Sequence, residues 1–481
     1  MPTAAFVRSA RRSWLTTAPV VVAIALADVA VMHYVYEAVV APEFSYLRYE
    51  YRSPDPVYYG IAVALVVGLA LAMPRRIERP SHWITWVIFV ITIVPSLIIP
   101  QIAPVLSPGD SIELAGWIAG SYLLVATLGT RRGLREFLPI RPLSQRTFWM
   151  LLLALWVVMN AYLLLTVGVR LSLPSIDDVY GVRAALQTEK ADDPALEYTV
   201  SWLAGFINAA LMVRGLWFRR WLWLLAGVLG PLYLYDIDGD KTALLSPAVL
   251  ILAYFLLRRD RPAGSAILLA APALSVASMV TDLVFFHDTE LTSLIARRVF
   301  ITPGLVSTGW VAVFSNIDKA KLGHSVLWWI FPYPYPVEPA DLVGALFFDR
   351  PDTHANASFL ADGYANFGYL GMVGACLILI LLLWAIDDAT RGLPAGFSCL
   401  LFLVPALTLA ESGILTAMLT GGIGFAVVFC ALAPRTGWPA VRTRGPQASS
   451  AVPTRGPQAS PGDRGPGSEP MPRLGAEEPS V

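Results

Sequence analysis

Charge is the scarcest commodity in this chain. Of its 481 residues only 15% are charged, against 56% hydrophobic, and 35 cationic side chains are balanced by 35 acidic ones. Sparse, balanced charge provides no basic field to hold a phosphate backbone, so nucleic acid is not an expected partner. Cysteine is almost missing: Cys376, Cys399 and Cys430 all lie in apolar runs, without the spacing of a disulfide framework or a zinc site, and read as packing residues. No P-loop, GxSxG or HExxH occurs, so nothing signals ATP-driven transport or a nucleophile-based hydrolase. The run DIDGDK spaces Asp236, Asp238 and Asp240 like calcium ligands, but Lys241 stands where a glycine is required and Pro247 where the last ligand belongs, so it is not an EF-hand. Asn356-Ala-Ser358 matches a glycosylation acceptor, a pattern short enough to arise by chance.

What the chain has instead is apolar runs long enough to cross a bilayer. Candidate spans fall at roughly 16–40, 57–73, 83–103, 111–129, 147–168, 199–217, 221–235, 242–257, 264–286, 368–386, 395–410 and 413–433. The expected fold is therefore an all-α polytopic membrane protein with about 12 transmembrane helices. Arg8, Arg11 and Arg12 precede the first span in the manner of a signal peptide, but the apolar segment continues to about Val40 without a clear cleavage site, so it reads as a retained helix. Cations cluster in PRRIERP, TRRGLREFLPIRPLSQR, RGLWFRR and RRDRP, which places those loops and both termini in the cytoplasm. The membrane domain then covers 1–433, and 434–481, rich in Pro, Gly, Ser and Arg with TRGPQAS repeated, reads as a disordered cytoplasmic tail.

Two segments on the other face exceed simple turns, at about 169–198 and 287–367, and long loops of this kind usually carry function. On that face cations are scarce, which singles out Arg183, Lys241, Arg297 and Arg298. Guanidinium groups fork onto phosphate oxygens, so a lipid-linked phosphate or pyrophosphate is the natural partner. The structural alternative is snorkelling to headgroups, or pairing of Arg183 with Asp177 or Asp178. The second loop ends in DTHANASFLADGYANFGYLG, where Asp352, His354, Asn356, Asp362, Tyr364 and Asn366 crowd the mouth of an apolar helix. Such groups can bind a sugar by hydrogen bonds and ring stacking, with His354 or Asp352 as a base; the plainer alternative is a helix cap and an aromatic belt. Asp28, Asp282 and Glu411 are the acids inside or between spans, positions that suggest function or a helix end.

Taken in order, the Arg-bearing loop, the GDKTALL hairpin, the ARR segment and NASFLADGYANFGYLG resemble the bacterial O-antigen polymerase and ligase superfamily, in its oligosaccharide repeat-unit polymerase branch. The resemblance covers about 140–430 and is carried chiefly by 239–242 and 356–371. It implies a metal-independent integral-membrane glycosyltransferase without a cofactor, which polymerises polyprenyl-pyrophosphate-linked repeat units into a surface polysaccharide at the outer leaflet of a bacterial cytoplasmic membrane. Arginines of the two external loops would hold the pyrophosphate, a role that transfers to Arg183 and to Arg297 or Arg298, with a chain-length regulator and a flippase as further partners. Relatives of the ligase type carry a His-Asn pair where this chain has Asn356, with His354 two residues earlier, which favours polymerase over ligase. A polyprenyl-phosphate-sugar glycosyltransferase and a lipid-linked glycan flippase are the alternatives from other classes.

Overall fold

The computed structural model describes residues 14–131, 133, 139–168, 193–238, 241–258, 262–436 and 438, with the backbone alone at 241 and 242. Every regular element among them is helical, and the only strand-like pairing is an isolated bridge between Arg76 and Ala263. In chain order the helices are α1 (Ala18–Leu47), α2 (Pro56–Ala72), α3 (Pro80–Ile102), α4 (Pro108–Gly129), α5 (Gln145–Thr166), α6 (Pro194–Phe218), α7 (Trp221–Asp238) and α8 (Lys241–Leu257). They continue with α9 (Ser265–Phe286), α10 (Glu290–Asn316), α11 (Pro339–Phe348), α12 (Phe359–Ala389), α13 (Ala395–Leu401), α14 (Leu403–Glu411), α15 (Ile414–Met418) and α16 (Ile423–Ala431). Eight of these (α1, α3, α4, α5, α6, α9, α10 and α12) are long and apolar enough to cross a membrane, which makes the chain an all-helical multi-pass membrane protein.

Local sequence accounts for where many of them begin. Asp55 accepts from the amides of Val57 and Tyr58, Ser107 from Asp110, Ser144 from Thr147 and Asp193 from Ala195, and a proline follows three of these four caps. Asp282 belongs to the same class: its carboxylate receives the amides of Leu291 and Thr292, joining the end of α9 to the start of α10. Six long helices contain a π turn, at Tyr36–Val40, Phe89–Ile93, Val125–Gly129, Leu203–Ile207, Asp282–Phe286 and Ser293–Ile301.

Each end of the bundle is closed by its own set of ties. At one end Ile77 and Gly264 donate their amides to the carbonyls of Pro262 and Arg75, Arg79 pairs with Asp387 at 3.3 Å, and Arg435 donates to the carbonyl of Ala389. At the other, Arg52 ties the α1–α2 connection to the far end of α3 through its amide and the Ile102 carbonyl, 2.7 Å apart, and through its guanidinium on Leu106. Helix α3 runs between these ends entirely buried, the axis on which the rest is packed.

Three features depart from the expected spans. The segment expected as an external loop contains α10, a 27-residue helix, because a π turn carries Arg297 inward onto aromatic rings and the helix continues through what reads in sequence as an interruption. Its second half packs so tightly on α3 that a β-carbon at Gly304 would stand 2.5 Å from the Pro95 carbonyl oxygen. The expected span 395–410 is divided at Phe402, and 413–433 is divided between Met418 and Ile423. That last hairpin also stops short: Thr92, midway along α3, donates to the Ala410 carbonyl at 3.0 Å, and Trp202 in α6 donates to Leu419. Finally, α12 is two helices joined at a sharp break, where Phe367 leaves helical geometry and Gly368 adopts φ 63° and ψ −150°. The region 439–481, which holds most of the expected tail, lies outside the described residues.

Candidate functional site

The break at Gly368 folds the first arm of α12 back beside the second. A β-carbon at Gly363 would meet the Gly371 carbonyl oxygen at 2.6 Å, so both glycines are needed for the two arms to touch. This turn presents Asp362, Tyr364 and Asn366 together at the end of the bundle opposite Arg79 and Asp387. On the same turn Tyr369 stacks on Trp117 of α4, ring centroids 5.2 Å apart and nearly parallel, and Tyr364 meets Tyr369 edge-on.

Three residues that sequence reasoning missed complete the group, one from the last turn of α10 and two from the segment after it. His324 brings Nε2 to 3.5 Å from Asp362 Oδ1, while its Nδ1 is buried with no hydrogen-bond partner. Lys319 lies over the Tyr364 ring, Nζ 3.9 Å from the centroid, and donates to the Phe314 carbonyl at 2.6 Å; burial lowers its pKa from the ordinary lysine value. Ser315 spends its hydroxyl proton on the Val311 carbonyl and so accepts from the Tyr364 hydroxyl at 2.8 Å. The Asp362 carboxylate rests on the backbone of Gly413, at the tip of the hairpin that ends midway, where a β-carbon would stand 2.8 Å from Oδ2.

Asn366 is a strut within this group. It is 1% exposed, its amide nitrogen donates to the backbone and side-chain oxygens of Asp362, and its oxygen accepts from the Leu322 amide at 2.6 Å. The amide of Ala320 donates to the Ala365 carbonyl, so the 319–324 segment is tied to α12 twice. Between these ties Lys321 and Leu322 both take positive φ, 51° and 61°, a strained arrangement for residues with a β-carbon that persists because the flanking bonds impose it.

The other expected site residues occupy separate surroundings. Arg297, 7% exposed, donates Nε and Nη2 to Ser293 Oγ and stacks on Phe44 at 4.2 Å, with Tyr49 next to it, while its neighbour Arg298 is exposed. His354 is half-exposed and directs Nδ1 to Asp341 Oδ1 at 2.7 Å. Asp352 and Asn356 are exposed on the same loop. Arg183 lies outside the described residues, and Lys241 opens α8 with a side chain that lies outside them too. The signal for Lys319 and His324 was present in the sequence as KAKLGHS, a basic stretch before the apolar SVLWWIF, but the tie from Asn366 to Leu322 spans 44 positions.

Chemically, this arrangement offers a carboxylate, an imidazole with an unused nitrogen, an ammonium of lowered proton affinity and a stacked aromatic surface. Among known protein families, curated proteins and solved structures, none matches this chain.

Proposed function

We propose that this chain is an integral-membrane glycosyltransferase that polymerises polyprenyl-pyrophosphate-linked oligosaccharide repeat units at the outer leaflet of a bacterial cytoplasmic membrane. The observation that carries the reading is the Asp362, His324 and Lys319 group at the broken helix, set against a hairpin that stops midway through the bundle. A lipid-linked sugar needs this combination: polar chemistry reached from one face, at a depth the lipid carrier can share. By the positive-inside rule, the Arg-rich end takes the cytoplasmic side, and the Asp362 end the outside.

In the proposed reaction an acceptor hydroxyl attacks the anomeric carbon of the donor. The new glycosidic C–O bond forms as the bond to the pyrophosphate oxygen breaks, and the polyprenyl pyrophosphate leaves with the bonding electron pair. Asp362 receives the hydroxyl proton, with His324 holding the carboxylate in position. Lys319, with Arg183 of the other external loop, meets the negative charge that grows on the leaving group. Tyr364, Tyr369 and Trp117 provide faces on which sugar rings stack. Arg297, held by Ser293 and Phe44, supports the helix that leads to Lys319.

The test is complementation of a deletion strain, with protein levels checked in membranes and lipid-linked glycans analysed directly. Asp362→Asn, Lys319→Ala and Arg183→Ala are expected to accumulate single repeat units on the carrier. Full-length polymer from all three at normal protein levels would rule the assignment out, and a finished polymer held on its carrier would replace the polymerase with a ligase.

A further inference from the structure

A second cluster stands apart from this group. Glu338, Asp341 and His354 each bring one ligand-capable atom within 4.8 Å of the others. Two segments supply them: the start of α11 gives Glu338 and Asp341, and the loop entering α12 gives His354. We propose that these three residues form a binding site for a divalent transition-metal ion, of the zinc or manganese type, that clamps the 349–358 loop onto α11.

The backbone is already arranged for such a site. The loop reverses at Asp349, with φ 54°, and the Arg350 amide returns to the Gly344 carbonyl. Gly344 has no β-carbon because the Thr353 carbonyl occupies that space. The Ala355 amide then donates to the Ala340 carbonyl at 3.1 Å, and Trp310 Nε1 to the Ala355 carbonyl at 2.8 Å. His354 is thus fixed from both sides before its ring reaches Asp341. Glu338 occupies the N-cap position of α11, yet its carboxylate makes no capping hydrogen bond and is left for another partner.

The donor set selects the ion. Two carboxylates and one imidazole suit zinc or manganese, whereas magnesium and calcium favour oxygen ligands alone. An ion bound here would take the place of the hydrogen bond between His354 Nδ1 and Asp341 Oδ1, 2.7 Å apart. Three protein ligands leave positions for water. The site does not depend on the glycosyltransferase assignment, since neither Asp362 nor Lys319 takes part.

Isothermal titration of the full chain, without an affinity tag, in detergent after chelation tests this directly, with zinc chloride, manganese chloride and magnesium chloride as probes. Wild type should bind zinc or manganese, and should bind magnesium far more weakly. Asp341→Asn and His354→Gln should each weaken that binding by about tenfold or more, as loss of a metal-site group does. The same ions should raise the thermal unfolding midpoint of wild type and not of either variant; His354→Gln, on an exposed loop, preserves this comparison if Asp341→Asn folds poorly. Titrations and midpoints identical in wild type and His354→Gln would overturn the site.

Discussion

Replacing Gly371 by alanine sets the closest approach in the candidate site against a methyl group. A β-carbon at Gly371 overlaps the Gly363 carbonyl oxygen, and the reciprocal β-carbon at Gly363 stands 2.6 Å from the Gly371 oxygen. Ordinary carbon–oxygen contacts lie at about 3.3–3.6 Å, so the two arms of α12 must part by roughly 1.5 Å. Overpacking of this kind costs about 1–3 kcal/mol. Because Asp362 sits one residue before Gly363, its carboxylate moves with the arm, away from His324 and Gly413. Gly368→Ala tests the same turn by a different cause: its surroundings are open, with Lys319 Cε 3.9 Å away, but φ 63° with ψ −150° is a backbone region essentially confined to glycine. Strain there costs about 1–3 kcal/mol. Gly374→Ala is the control, on the same helix with nothing within 4 Å of the new carbon; it should be neutral or stabilising by up to about 1 kcal/mol. Unfolding in mixed micelles titrated with SDS, alongside polymer synthesis in complemented cells, reads both effects. The expected order is Gly374→Ala at or above wild type, with the other two below it and Gly371→Ala without polymer. If Gly371→Ala unfolds with wild type and makes full polymer, the paired arms do not position Asp362 and the reasoning fails.

Two further outcomes follow from individual side chains. Burial lowers the Lys319 pKa from 10.5, so the folded chain gives up this proton more easily than the unfolded one. The lysine's contribution to stability is thus greatest above 10.5 and shrinks as pH falls towards the lowered folded value, whereas binding of an anion needs the proton and weakens as pH rises through that value. Transfer measured against pH should therefore decline on the alkaline side before 10.5 in wild type and stay level in Lys319→Arg; coincident declines would remove Lys319 from the site. Arg297→Lys should lose the ring stacking and the forked bond to Ser293, costing about 1–3 kcal/mol and lowering the amount of protein in membranes. Normal levels with lost transfer would instead return Arg297 to the pyrophosphate.

Much of the architecture was legible because hydropathy is a local property. The apolar runs at 83–103, 111–129 and 147–168 became α3, α4 and α5 with ends shifted by a few residues. Helix α10 was not, because Glu290, Arg297 and Arg298 interrupt its hydropathy, and only packing on Phe44 and α3 reveals which charge is buried. The site was legible in part. Asp362, Tyr364 and Asn366 stood out as polar groups at a helix mouth, but their partners Lys319 and His324 lie some forty residues away, and no local pattern encodes a pairing that a left-handed turn at Lys321 and Leu322 creates. For His354 the sequence suggested a lone base; its pairing with Asp341 depends on a loop reversal that Asp349 and Gly344 make possible.

The π turns bear on how such a protein can change. An α-helix advances 100° per residue, so one inserted residue would re-phase everything beyond it by about that angle, but a π turn takes up the extra residue locally and leaves both halves facing as before. Six helices here carry such a turn. Loss of one codon within Leu203–Ile207 would therefore let that turn close as ordinary α-helix with both halves still in register, whereas loss of one codon elsewhere in the same helix would swing one half past the other.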